Sequence, residues 1–375
     1  MKIALVHDGI ITRGGAERVL LNFQKSFPNA PIFTTVYHKE STYKEYANSE
    51  IITSWYQRIA KSEFLFKVLF FPFGILAAKS LDLSDYDVIL CSTTTCGKYI
   101  KVNKEALVIN YCYTPFRLAW NPSSYKIYNN FFYKLLLKPI IFFLRKIDYK
   151  YAQRANFYVA MTEETAKRIE DSYNPSQKIK IIMPSIDTSN FSYSSTTSEY
   201  FLVVSRLEKY KKVDLVIEVF NELNKPLVII GKGTEEKYLK KIANNNIKFY
   251  KDLNQKQLKK FYSEAKAFIF PQHEDYGLTV LESYASGRPA ICFNAGGAKF
   301  TGIPLTSKNI GKATMHTFNN QNKSSLKDAI LKFNDKSFDS NFIIEHSKNF
   351  DDKFFINKIN KFVNKKYKEH LNARQ

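Results

Sequence analysis

Acidic residues are in short supply: 35 Asp and Glu stand against 56 Lys and Arg in 375 residues, a formal net charge of +21. Such a surface attracts anionic membrane lipid and small anions. Arginine is also sparse, at ten of the 56 cations, and no nucleic-acid-binding motif accompanies the charge. A nucleic acid partner is therefore not expected. Part of the lysine excess, with its many Asn, Ile and Tyr, is what an AT-rich genome would give. Cysteine is limited to Cys91, Cys96, Cys112 and Cys292, without CxxC spacing. Buried reduced thiols and a cytoplasmic setting follow as the default. No apolar run reaches the ~18 residues of a membrane span, so none is expected. Residues 1–8 read as a short strand with a polar end, not as a cleavable leader.

What is present describes a globular chain: 45% apolar and 24% charged residues, with length enough for two cores. Short apolar runs alternate with helical patterns in both halves, which predicts two doubly wound α/β domains. The runs at 3–6, 31–36, 86–92, 107–111, 157–161 and 180–183 read as strands of the first. Those at 200–204, 227–230, 247–250, 267–270 and 290–293 read as strands of the second. The Ser/Thr-rich run 192–198 reads as the linker, giving domains over 1–195 and 199–345.

The most informative stretch is 268–298. A buried strand ends at Pro271, a polar loop covers 272–277, and a helix follows with Leu278, Leu281 and Ala285 at helical spacing. The helix stops at Ser286-Gly287, and the next strand ends in Gly296-Gly297. Glu274 and Glu282 lie just before and within that helix. A helix start beside a glycine turn suits an anionic ligand, and the two carboxylates suit one rich in hydroxyls. Arg206 and Lys212, at a strand end and a helix start, suit a diphosphate, because they can neutralise charge growing on a leaving group. Gly14-Gly15 follow the first strand and open a helix, the geometry that lets amides approach a phosphate. Asp85-Tyr86-Asp87 has a metal-binding form but precedes its strand, on the wrong edge of a parallel sheet. It reads as a solvated turn.

The pattern P-x-x-E-D-Y-G-L-x-x-x-E-x-x-A-S-G-R-P, followed by G-G-A, resembles the donor site of the retaining family 4 glycosyltransferases. H-D-x-x-x-x-R-G-G-A-E-R-V-L near the N-terminus resembles the glycine loop of the same family, and S-R-L-x-x-x-K-K-x-D its cationic turn. The resemblance implies a GT-B fold: two Rossmann-like domains facing a central cleft, with the last helix (about 350–375) crossing back to the first. It implies that Glu274 faces the transferred sugar and Glu282 the ribose of a nucleotide-sugar donor. Arg206, Lys212, Gly14 and Gly15 would hold the diphosphate, and Asp275, Tyr276, Gly277 and Leu278 would complete the donor loop. Glu274, Arg206 and Lys212 are the expected catalytic residues, with no metal and no other cofactor. Y-C-x-T-P-x-R-x-x-W over 111–120 resembles mannosyltransferase-like enzymes of bacterial surface polysaccharides. That implies GDP-mannose as donor and a lipid-linked glycan as acceptor, with a UDP-sugar enzyme or a non-catalytic nucleotide-sugar binder as alternatives. Tyr113 stands where those enzymes carry His, Lys251 where a glycine approaches the base, and Lys299 where an acid is usual. Arg117 and Trp120 either line the acceptor side or anchor their loop.

Segments 64–79 and 125–151 mix aromatics, aliphatics and lysines. Either they lie in the headgroup region of an anionic membrane, or they pack inward with lysines reaching out to water. The first option places the protein at the inner face of a bacterial cytoplasmic membrane.

Overall fold

Continuous apolar runs, bounded by polar turns, become strands buried on both faces. The computed structural model describes residues 1–125, 128 and 130–374, apart from the side chains at 63, 67, 68, 71 and 72. Two units emerge: 1–183 with 355–375, and 184–354.

The first unit holds β1 (Ile3–His7), β2 (Ile32–Thr34), β3 (Ile51–Thr53), β4 (Val88–Thr93), β5 (Leu107–Cys112), β6 (Phe157–Ala160) and β7 (Lys180–Ile181). The sheet order is β3-β2-β1-β4-β5-β6-β7, with every pairing parallel. β4 and β5 are buried along their whole length. Chain direction across the sheet reverses between β1 and β4, and just beyond that point Asp8 is fastened. Its carboxylate accepts from the amides of Thr94, Thr95 and Gly97 (2.7, 2.9 and 2.6 Å) and from the hydroxyls of Thr93 and Thr94 (both 2.8 Å). Burial pushes this carboxyl up, but His7 and those donors outweigh it and hold it below the ordinary aspartate value.

A second hub sits at Asp148, fully buried on the long helix Phe131–Ala152. It accepts from Tyr99 (2.5 Å), Tyr173 (2.8 Å) and the Trp120 indole (2.7 Å), and pairs with the Lys98 ammonium at 2.9 Å. Burial lowers the affinity of Lys98 for its proton, yet Asp148 more than restores it. Burial also pushes the thiols of Cys91 and Cys112 up to about 12, as inert core groups.

The second unit holds β8 (Phe201–Val204), β9 (Leu227–Ile230), β10 (Ile247–Tyr250), β11 (Ala267–Phe270), β12 (Ala290–Phe293) and β13 (Met315–Phe318). Its order is β10-β9-β8-β11-β12-β13, again all parallel. The crossover helix Val213–Leu223 buries Val216, Ile217, Val219 and Phe220 against it.

The unit boundary corrects the expected one. The run 192–198 belongs to the second unit because the buried Arg288 clamps it. The guanidinium donates to Ser194 O (2.6 Å), Thr196 O (3.1 Å), Thr197 Oγ1 (2.6 Å) and Ser263 O (2.8 Å), and lies over the Tyr193 ring. Ile186 bridges to Asp351 in the same unit, and the last helix, Asp352–Asn372, passes into the first. Replacing Arg288 with Met strips four carbonyl and hydroxyl acceptors of their donor. We expect a loss of about 3 kcal/mol and new protease cleavage within 192–198, read by thermal melting and by limited proteolysis with chymotrypsin, which cuts after Tyr193.

Candidate active site

In a doubly wound sheet, ligands bind outside the carboxyl ends of the strands, where the strand order reverses. In the second unit that point lies between β8 and β11. The loop after β8 carries Arg206 and a short turn, Lys209–Lys211; the loop after β11 carries Glu274. They meet there: the Lys211 ammonium forms an ion pair with Glu274 Oε1. The Lys211 side chain is only 7% exposed and that of Glu274 32%, so the pair is largely withdrawn from water. Gln272 Nε2 donates to the other carboxylate oxygen at 3.3 Å.

The lysine that meets Glu274 is Lys211, next to the Lys212 that the sequence pattern favoured. The adjacent lysine is half-buried and takes a left-handed backbone (φ 56°, ψ 32°) as it caps the helix Val213–Leu223. Two neighbouring lysines are chemically alike, and only the backbone turn decides which one reaches the loop. Arg206 is exposed and donates to the Tyr210 hydroxyl at 2.8 Å. The Tyr210 ring in turn lies 5.1 Å from the Lys211 ammonium.

The Glu274 loop is held from behind by Gly296 and Gly297. Gly296 has φ +62°, and a Cβ there would lie 2.3 Å from Glu274 O; one at Gly297 would lie 2.3 Å from Tyr276 Cα. The Gly297 amide donates to Glu274 O at 2.7 Å. Only a residue without a side chain lets the two loops approach this closely. Asp275 is half-buried in the same loop. Gly277 caps the helix Leu278–Ala285, whose first turn leaves amides without partners within the helix. The Tyr276 side chain is buried, with the hydroxyl donating to Pro184 O at 2.8 Å. Glu282 is buried and accepts from the fully buried Tyr262 at 2.8 Å.

The first unit holds the remaining residues. Gly14 caps the helix Gly15–Ser26, and a Cβ on it would lie 2.5 Å from the carboxylate of Glu17. That buried acid occupies the positive end of the helix, so a diphosphate is disfavoured at this turn. Tyr113 is buried, its hydroxyl bonded to Ser92 Oγ (2.8 Å) and to Ala16 O (3.2 Å). Trp120 is the anchor of its loop, through Asp148 and an edge contact with Tyr173. Arg117 is exposed at the start of a short helix, Arg117–Trp120. Asp87 accepts from the Lys2 amide at the amino end of β4, away from the strand ends that bind ligands. Lys251, in place of the expected glycine, pairs with Glu236 at 3.1 Å.

The left-handed Lys212 is strained, and glycine relieves that strain. Lys212→Gly should raise stability by about 0.5–1 kcal/mol in urea unfolding. A loss instead would mean that the Lys212 side chain supports the site.

Residues 186–337, which contain this cluster, match the family model described as glycosyl transferases group 1. A probable sucrose-phosphate synthase of Thermosipho melanesiensis is 30% identical over 181 residues, 40% of this chain and 42% of that one. The O-antigen chain mannosyltransferase RfbU of Salmonella typhimurium is 23% identical over 164 residues, 40% of this chain and 46% of that one. The chain thus matches less than half the length of either relative. Among solved structures, Anabaena HepE in complex with UDP superposes with a TM-score of 0.69 at 14% identity, covering 97% of this chain and all of that one. The fold is GT-B, and the match to the glycosyl transferases group 1 model falls within its second unit.

Proposed function

We propose that the protein is a retaining glycosyltransferase that moves a hexose from a nucleoside diphosphate sugar to a hydroxyl acceptor. The observation that carries this reading is the Lys211–Glu274 pair beside Arg206, at the strand-order reversal between β8 and β11. Arg206 and Lys211 bind the diphosphate, Glu274 receives the sugar hydroxyls, and Glu282, held by Tyr262, receives the ribose. The acceptor oxygen attacks the anomeric carbon from the face that the leaving group departs. The bond to the β-phosphate oxygen breaks, and that oxygen takes the acceptor proton. Arg206 and Lys211 stabilise the charge left on the diphosphate, which supplies the positive charge a metal would otherwise provide. In this reading the Gly14–Gly15 turn belongs with Arg117 on the acceptor side, since Glu17 suits a hydroxyl better than a phosphate.

GDP-mannose is the donor we favour, on the 111–120 motif and the likeness to a mannosyltransferase. The UDP bound in HepE supports the second choice, a UDP-sugar. Nucleotides that bind should raise the melting temperature in proportion to the logarithm of their concentration. We expect a shift with GDP and GDP-mannose, reduced in Lys211→Met and Glu282→Ala. A shift with uridine nucleotides alone would replace the donor, and no shift with any nucleotide would leave a non-catalytic reading.

The acceptor we propose is a lipid-linked glycan of surface polysaccharide synthesis, at an anionic membrane. Supporting this, the helix Phe131–Ala152 exposes Phe131 (83%), Phe132, Leu135, Phe142 and Phe143 on the side away from its buried Ile141, Leu144 and Asp148. Its cations are Lys134, Lys138, Arg145, Lys146 and Lys150, and its one acid is buried. No helix among the described residues is long and apolar enough to cross a membrane. An apolar face with flanking cations lies in the headgroup plane. Replacing Phe131, Leu135 and Phe142 with Ser should lower co-sedimentation with phosphatidylglycerol vesicles at least tenfold. Binding that the triple variant keeps in full would remove this face from the account.

A further inference from the structure

Arg206 and Lys211 carry like charge on one loop, so presenting both to an anion calls for something that orders their side chains. Glu274 compensates Lys211 alone. Between the cations stands Tyr210, which no part of the chemistry above uses. It is 49% exposed and contributes little to the core. Its hydroxyl accepts from Arg206 Nη2 at 2.8 Å, four residues back across the turn Lys209–Lys211. Its ring lies 5.1 Å from the Lys211 ammonium, within the range in which the negative face of an aromatic attracts a cation. One side chain thus restrains both cations, by two different interactions.

We propose that Tyr210 is the positioning residue of the diphosphate subsite, ordering the Arg206 guanidinium and the Lys211 ammonium through its hydroxyl and its ring. The inference rests on the donor reading given above and adds to it the element that orders its cations. A free arginine side chain samples many rotamers in water, and ordering it on binding costs affinity. Tyr210 removes that cost in advance. Because it acts through Arg206, its hydroxyl matters only while the guanidinium is there.

The test is a double-mutant cycle, read by calorimetric titration of GDP and UDP with guanosine and uridine as controls. Tyr210→Phe should weaken the bound nucleoside diphosphate about fivefold, the equivalent of one side chain left to be ordered. It should leave nucleoside binding and the melting temperature of the free protein unchanged. In an Arg206→Ala background the same Tyr210→Phe change should have no effect. Tyr210→Ala, which also removes the ring beside Lys211, should weaken binding further and should still cost affinity in that background. Equal affinities of wild type and Tyr210→Phe, or full additivity with Arg206→Ala, would overturn the assignment. A wild-type protein that binds neither nucleoside diphosphate would overturn the donor reading itself, and the assignment with it.

Discussion

Parallel pairing is the constraint on which both units depend. Parallel neighbours cannot be joined by a tight hairpin, so each strand must be followed by a crossover that returns the chain to the same end. The carboxyl ends of all strands in a sheet then share one edge, and their loops gather along it. With the order 3-2-1-4-5-6, successive crossovers leave in opposite directions from the first and fourth strands, and the loops there part. Asp8 with the 93–97 loop occupies this point in one unit, and Lys211 with Glu274 in the other. Topology selects the place; side chains only furnish it.

What furnishes the second unit's place is costly by itself. Withdrawing an ammonium and a carboxylate from water is repaid only by close pairing, and such pairs contribute little to net stability. The Glu274 loop is held in spite of that cost, by the amide of Gly297 and the close approach that two glycines allow. A charge pair on a rigid support is better placed to exchange partners with a charged ligand than to stabilise a fold.

The sequence discloses whatever depends on near neighbours in the chain. Strands such as β4, β5, β8 and β11 are continuous apolar runs, so they and the α/β class were legible. β13 was not, because Met315-His316-Thr317-Phe318 mixes polar and apolar residues, with β12 on one side and a single bridge to Pro304 on the other. The end of the first unit was hidden for another reason: what fastens 192–198 is Arg288, some ninety residues later. Polar composition signalled a linker where a distant guanidinium ties an exposed segment to the second unit. The choice of Lys211 over Lys212 turned on one φ angle, which a lysine gives no sign of adopting. Tyr113 and Tyr276 were read from their motifs alone, and the motifs do not disclose that each hydroxyl is bonded inside the core.

Asp148 has a consequence for how such a chain can change over time. Its carboxylate is satisfied jointly by Lys98, Tyr99, Trp120 and Tyr173, drawn from three separate parts of the first unit. Losing the acid alone would strand a buried ammonium, and losing the lysine alone would strand a buried carboxylate. Neither can drift independently. The five positions form a block that descendants inherit together or replace together, while the exposed helix face above them is under no such restraint.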